Sequence, residues 1–221
     1  MSMLSTYESV WAAPIVSARR VATYRIAGFG EWRSVARRLL DAEMSPEDVA
    51  FVEGGERQRA LAFGDEATDH LERESLGLRR YLVPKGFVAL ARTVACHRDP
   101  TRWTLLYRLL WRLTHGEPRL LAAEADDDVI RVRTMEKQVE RDAQRMKSSV
   151  RFRQVTKAGE VWFAAWHRPS HHVVRMVASF FVERFAAMKW SIETPEESIS
   201  WNGEQLLFGP GASRNAALFA V

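Results

Sequence analysis

The spacing of apolar residues along the chain changes from a helical period to a strand period in its last third. In the stretch Phe29–Leu40, apolar residues recur every three or four positions, which is typical of an amphipathic helix. The β-branched and aromatic run Val21–Ile26 just before it predicts a strand. The ordered part of the chain is therefore expected to begin with a strand followed by a helix.

Three further helices are predicted at Lys85–His97, Asp99–His115 and about Asp126–Met146. The second of them opens with an aspartate that can cap the helix and a proline at its first position. A glycine directly after the same helix is a common stop signal. These features predict a helical middle region.

The C-terminal third, Arg145–Gly211, alternates with period two and is rich in aromatic, arginine and histidine residues. Trp162 and Trp166 fall on one face of a predicted strand, and Phe163 falls on the other. The segment His172–Met188 is apolar on nearly all sides and predicts a buried helix. The predicted strands are Val150–Val155, Val161–Trp166, Trp190–Thr194, Ser198–Trp201 and Glu204–Phe208.

This order of elements predicts the fold class α+β, with a helical region followed by an antiparallel β-meander packed around a buried helix. The change of charge sign near Gly77 suggests a boundary there. The predicted parts are a flexible N-terminal leader (1–20), a small α/β lobe (21–77), a main α+β domain (78–211) and a C-terminal tail (212–221).

The composition of the 221 residues is that of an ordinary globular protein, with 47% hydrophobic and 27% charged residues. The single cysteine, Cys96, cannot form an intramolecular disulfide, which suits a reducing compartment. There is no long apolar run and no basic start followed by an apolar segment. We therefore expect a soluble cytoplasmic protein without a membrane partner.

Positive charge is concentrated in two blocks, although the net charge is only +4. Leu78–Arg119 contains nine basic and two acidic residues, and Arg145–Arg175 contains seven basic and one acidic residue. If the fold brings the blocks together, they form a surface for an anionic partner, with DNA as the first candidate. The alternative is that the arginines only solvate exposed helix faces.

Two groups of residues are candidates for nucleic-acid binding. On the predicted helix Asp99–His115, the basic residues fall within an arc of about 140°. In the C-terminal third, basic residues interleave with tryptophans, as phosphate contact combined with base stacking requires. The alternative is that the tryptophans are core residues and that the arginines cover them in cation–π contacts. The candidates are Arg102, Arg108, Arg112, Lys147, Arg151, Arg153, Arg168, Trp162 and Trp166.

His167 and His171 are weak candidates for a catalytic role. Their spacing is that of metal ligands on one helix, but Pro169 lies between them and makes one continuous helix there unfavourable. No nearby cysteine completes a ligand set, so we expect no metal. The chain also lacks a phosphate-binding loop and a dinucleotide fingerprint, so we expect no cofactor.

An ordered set of motifs resembles a bacterial domain of unknown function over about Phe29–Gly211. The motifs are Ala95–Pro100 (ACHRDP), Leu105–Leu113 (LLYRLLWRL), Met146–Arg153 (MKSSVRFR), Ala165–Pro169 (AWHRP), Arg184–Ile192 (RFAAMKWSI) and Phe208–Gly211 (FGPG). In some proteins this domain is fused to the N-terminus of a uracil-DNA glycosylase-like domain. As a separate chain it is described as a DNA metabolism protein, and it accompanies a radical SAM protein assigned to DNA repair.

This resemblance implies a setting in DNA repair but no catalytic residues. The relatives usually continue past the last motif with an acidic helix and a basic tail, so we expect the tail at 212–221 to be truncated. We expect a DNA-repair accessory module that binds DNA beside a glycosylase-like or radical SAM partner. The alternatives are an enzyme acting on damaged DNA, with a histidine as general acid–base, and a protein–protein adaptor.

Overall fold

The computed structural model describes residues 21–54 and 81–214. The predicted leader, the boundary at residue 77 and most of the predicted tail lie outside these residues. The N-terminal unit consists of β1 (Ala22–Ile26), α1 (Phe29–Asp41), a 3-10 turn (Pro46–Asp48) and β2 (Val49–Glu53). The two strands pair in parallel, because α1 carries the chain back between them.

The helical middle region contains α2 (Lys85–Ala95), α3 (Arg102–Thr114), a second 3-10 turn (Leu120–Ala122) and α4 (Asp127–Ser149). The aspartate before α4, Asp126, accepts hydrogen bonds from the amides of residues 128 and 129 at 3.0 and 3.1 Å, and thereby caps the helix. The three predicted helices are confirmed, with bounds that differ by a few residues.

The C-terminal part is a five-stranded sheet in the order β3-β4-β5-β6-β7, with one helix inserted between β4 and β5. Its elements are β3 (Arg153–Lys157), β4 (Glu160–Trp166), α5 (Val174–Arg184), β5 (Trp190–Glu193), β6 (Glu197–Trp201) and β7 (Leu206–Pro210). All neighbouring strands are antiparallel except β4 and β5. That pair is parallel because α5 forms the crossover between the two strands. The predicted α+β class is confirmed.

Apolar side chains form two cores that share α4. The first core combines β1, α1, β2, α2 and α3 with the first half of α4. The second core combines the last part of α4 with α5 and the inner face of the sheet. Val132 and Met135 belong to the first core, and Val139 and Met146 to the second. A single 23-residue helix therefore ties the helical region to the sheet.

The turns at the two hairpins differ. Between β3 and β4, Ala158 and Gly159 both have positive φ, at 52° and 79°, as a two-residue hairpin turn requires. Between β6 and β7 the loop is longer, and the side chain of Asn202 accepts hydrogen bonds from the amides of Glu204 and Gln205. None of the helices within residues 21–54 and 81–214 combines the length and apolar composition needed to cross a bilayer.

Candidate nucleic-acid interface

The register of β3 against β4 places basic and aromatic residues on one face of the sheet. Residues directly opposite each other in an antiparallel pair point to the same side. Arg153 lies opposite Ala164, and Val155 lies opposite Trp162. Since side chains alternate along a strand, Lys157 and Trp166 belong to this same face. We call the residues of β3 and β4 on this side the tryptophan face: Arg153, Val155, Lys157, Glu160, Trp162, Ala164 and Trp166.

The opposite face of the sheet is the one that the helices cover. Ala165, Trp190, Ile192 and Ile199 are at most 2% exposed and pack with α5 and α4 in the second core. Neither core of the described residues includes Trp162 or Trp166, which are half-buried. The predicted division of the β4 aromatics between two faces is confirmed, because Phe163 packs against the second core.

Cations lie beside both tryptophan rings. Lys157 Nζ is 5.2 Å from the centre of the Trp162 ring. The Arg214 guanidinium is 5.9 Å from the centre of the Trp166 ring, whose Nε1 donates to the Ala212 carbonyl at 3.3 Å. Cations over indole rings are attracted by the negative face of the ring. Trp162 is therefore bordered by the β3 strand, and Trp166 by the chain that follows β7.

The β5 side of the tryptophan face carries an acid. Glu193 is paired with Trp166 in the parallel register and with Ser198 in the antiparallel one, so all three point to the same side. Burial raises the pKa of Glu193, while Lys157 and a hydrogen bond involving Ser198 oppose that shift. The face is therefore basic along its β3 edge and acidic toward its middle.

The predicted basic stripe on α3 is corrected by the structure at Arg102, which is buried and only 2% exposed. Its guanidinium donates to the carbonyls of Ala95 and Asp99 at 3.0 Å each and to Glu53 at 2.6 Å. It also lies 4.4 Å from the centre of the Trp103 ring. Arg102 is an internal connection between β2, α2 and α3 and is not presented to a partner.

The other two arginines of that helix are paired with the start of α4 and the loop before it. Arg108 makes a two-point contact with Asp128, with Nε at 2.8 Å from Oδ2. Arg112 contacts Glu117 at 2.8 Å, Asp126 at 2.7 Å and Asp128 at 3.2 Å. These carboxylates neutralise the stripe, so α3 does not contribute a positive surface of the predicted kind.

The remaining predicted residues are placed apart from one another. Arg151 is exposed and donates to the carbonyls of Ser148 and Val150 at 2.7 and 3.1 Å, which caps the end of α4. Lys147 lies 5.2 Å from the centre of the Phe180 ring on the helical side of the sheet. Arg168 is exposed in the loop after β4. Of the predicted set, the fold brings together Arg153, Trp162 and Trp166, and adds Lys157.

Several histidines meet where the helical region contacts the sheet. His97 Nε2 lies 2.7 Å from the amide oxygen of Gln138, so it donates, and Nδ1 accepts from the Asp99 amide at 3.1 Å. The rings of His97 and His171 are 4.3 Å apart. His171 Nδ1 accepts from the Arg98 amide at 3.2 Å. Burial lowers the pKa of His171, and the neighbouring His97 lowers it further.

A buried carboxylate holds the loop after β4 that carries His167, His171 and His172, which we call the histidine loop. Asp142 of α4 is 3% exposed, and its Oδ2 accepts from the amides of Ser170 and His171 at 2.8 Å each. Its Oδ1 lies 3.8 Å from the Arg145 guanidinium. Sequence patterns did not indicate this contact, because 28 residues separate Asp142 from Ser170.

His167 points into the same region from the end of β4. Its Nε2 is buried and has no hydrogen-bond partner in the described part of the chain. Burial lowers the pKa of His167, an effect that Asp142 opposes and Arg145 reinforces. Among residues 21–54 and 81–214, no three histidine, cysteine, aspartate or glutamate side chains are grouped to hold a metal ion.

An ion network next to the histidines links all parts of the fold. His172 Nδ1 lies 2.8 Å from Glu196 Oε2 in the β5–β6 turn, and Arg98 forms an ion pair with the same carboxylate. His172 Nε2 is also 4.0 Å from Glu53, the partner of Arg102. The hydrogen bond from His172, together with the Arg98 charge, lowers the pKa of Glu196 to about 2.

Replacing Glu196 with glutamine is expected to cost about 1–2 kcal/mol at neutral pH, once solvent screening of this partly exposed group is allowed for. A carboxyl whose pKa is lowered on folding stabilises the protein above its unfolded pKa, and this contribution disappears as the pH falls toward about 2. The difference in unfolding free energy between the wild type and E196Q should therefore shrink between pH 4.5 and pH 2. Urea titrations at constant ionic strength measure it, and a constant difference would contradict the role of the ion pairs.

Fold and site together define an α+β protein whose sheet is covered on one face and carries cations and tryptophans on the other. The sequence profile of DUF4130, a domain of unknown function, matches residues 100–218, more than half of the chain. The chain therefore belongs to the DUF4130 family. No curated protein and no solved structure matches it.

Proposed function

We propose that this protein is a DNA-binding accessory module that works in DNA repair beside a uracil-DNA glycosylase-like or radical SAM partner. The observation that carries DNA binding is the tryptophan face, where Arg153 and Lys157 lie next to two tryptophans outside both cores. Cations that contact phosphates, combined with aromatic rings that stack on bases, are the two elements of nucleic-acid recognition without a groove-reading helix.

The charge environment supports this use of the face. Arg153 is exposed and has no ion pair among the described residues, in contrast to Arg108 and Arg112. An arginine held by carboxylates must give up those contacts before it can bind a phosphate, whereas Arg153 has no such contact with residues 21–54 or 81–214 to give up. The positive edge of β3 is therefore the strongest candidate in this part of the fold for contact with DNA phosphates.

The repair setting rests on the motif set that resembles proteins of DNA metabolism. The accessory role is supported by the hydrogen bonds that hold His97 and the loop around His171. Both ring nitrogens of His97 are engaged in hydrogen bonds, and the loop around His171 is tied down by Asp142. The His97 contacts join parts of the helical region, and the Asp142 contacts join α4 to the loop after β4, so both have a structural task.

Replacing Arg153 and Lys157 with alanine together is expected to weaken DNA binding and to reduce the slope of log affinity against log salt by about two, since each lost phosphate contact removes about one. Fluorescence anisotropy of a labelled oligonucleotide across a salt series measures both quantities. Arg119→Ala removes an exposed arginine far from β3 in sequence and serves as the matched control.

The outcomes separate the alternatives. If the wild-type protein binds no DNA even at low salt, DNA binding by this chain is wrong and the adaptor becomes the better hypothesis. If Arg119→Ala weakens binding as much as the double replacement, positive charge in general is responsible, and the tryptophan face is not the site.

A further inference from the structure

We infer that the tryptophan face takes single-stranded nucleic acid, with its bases on Trp162 and Trp166 and its phosphates along β3. This inference rests on the proposed function and names the form of nucleic acid that the same site accepts. It depends on three features of the sheet: the spacing of the rings, the positions of the cations relative to them, and the side on which Glu193 lies.

The rings and the cations are spaced alike along neighbouring strands. Trp162 and Trp166 are four residues apart on β4, a separation of about 13 Å between their backbone positions. Arg153 and Lys157 are also four residues apart, on β3. In the register, Arg153 lies opposite Ala164, midway between the two tryptophans. Cations and rings therefore alternate along the strand direction in steps of about 7 Å.

The residue between the rings is small. Ala164 is 6% exposed, and it is paired with Arg153 on one side and with Ser191 on the other. A short side chain at position 164 puts no bulk between the two half-buried indoles, whose ring contacts on this face include the cations of Lys157 and Arg214. Such an arrangement suits bases that are separated from one another and laid onto the rings, because every base has a flat face that can stack.

The charges on the sheet determine where the phosphates and the bases of a bound nucleic-acid strand would lie. Arg153 and Lys157 occupy the edge strand β3, whereas Glu193 occupies β5 on the far side of the tryptophans. Glu160, the first residue of β4, lies opposite Lys157 on this face, and its charge is offset by an ion pair with Lys189 at 2.8 Å. Phosphates are therefore attracted to the β3 edge and repelled from the β5 side, and the bases extend from the edge toward the middle of the sheet.

A duplex does not satisfy this arrangement. Its bases are paired and stacked inside the helix, so their flat faces are not available to Trp162 and Trp166. Its second strand would also bring phosphates to the side of the face that carries Glu193. The described part of the sheet presents no protruding helix or ribbon on this face that could enter a duplex groove.

The test compares a labelled oligothymidylate of about 15 nucleotides, within the range that single-strand binding folds occupy, with the same strand annealed to its complement. The single strand is expected to bind at least tenfold more tightly. Trp162→Ala should weaken single-strand binding by about fivefold to a hundredfold, which is the usual cost of losing one stacked base. Trp162→Phe, which keeps a stacking ring, should retain most of the affinity, and neither replacement should change duplex binding.

Each result decides a different question. Equal or tighter binding of the duplex, or Trp162→Ala with unchanged affinity for the single strand, would overturn the single-strand inference and leave DNA binding by the basic edge intact. Loss of all binding at low salt for the wild-type protein would instead remove the proposed function itself. Folding of each variant is checked by its urea midpoint, and the comparison of single strand with duplex on the wild-type protein keeps the test valid if the Ala variant is unstable.

Discussion

Replacing Arg102 with leucine is expected to destabilise the protein by about 3–5 kcal/mol, the usual cost of breaking a buried ion pair by removing one partner. Leucine fills part of the volume but removes the side-chain donor to the Ala95 carbonyl and one of the two donors to the Asp99 carbonyl, which keeps the amide of residue 102 at 3.2 Å. It also removes the guanidinium that lies 2.6 Å from Glu53, whose side chain is only 27% exposed. Urea unfolding followed by circular dichroism measures the change.

Arg108→Leu is the matched control for this prediction. Arg108 lies on the same helix and also faces a carboxylate, but its side chain is 43% exposed. Exposed ion pairs contribute about 0–1 kcal/mol, so the control should lower the stability by no more than that. Similar losses for the two variants would show that Arg102 is not the internal connection between β2, α2 and α3.

Arg102 also shows what helical periodicity in the sequence cannot predict. A rotation of 100° per residue correctly places it near Arg108 and Arg112 on α3. The same rotation cannot reveal that Glu53, 49 residues earlier, comes close enough to draw its guanidinium inside. Nor does it reveal which carboxylates from the start of α4 lie beside the other two arginines. Helices follow from local periodicity, whereas the pairing of charges depends on tertiary contacts.

More of the tryptophan face than of the arginine pairing on α3 could be predicted from the sequence. Alternation along β4 is a property of the strand itself, so the division of Trp162 and Trp166 from Phe163 followed from the sequence. The sequence did not predict which face of the sheet the helices would cover, because α5 and α4 both present apolar residues that could pack on either face. The parallel pairing of β4 with β5, which sets Glu193 beside Trp166, depends on the path of α5 over the sheet.

Replacing Asp142 with alanine is expected to cost about 2–4 kcal/mol, because two backbone amides lose a charged acceptor in a site where little water is available. Asp142→Asn should fall between the wild type and the alanine variant, since it keeps one acceptor oxygen without the charge. Besides urea unfolding, amide hydrogen exchange at Ser170 and His171 reports the contact directly, and both amides should exchange faster in the alanine variant.

Glu140 is the control for this position, because it lies on the same helix and is exposed. Glu140→Ala should change the stability by no more than about 0.5 kcal/mol and should leave the two amides protected. If Asp142→Ala unfolds like the wild type, or if the exchange of Ser170 and His171 is unchanged, then Asp142 does not hold the histidine loop. That result would favour the hypothesis that His167 is a catalytic acid–base over the hypothesis that the loop only connects α4 to the sheet.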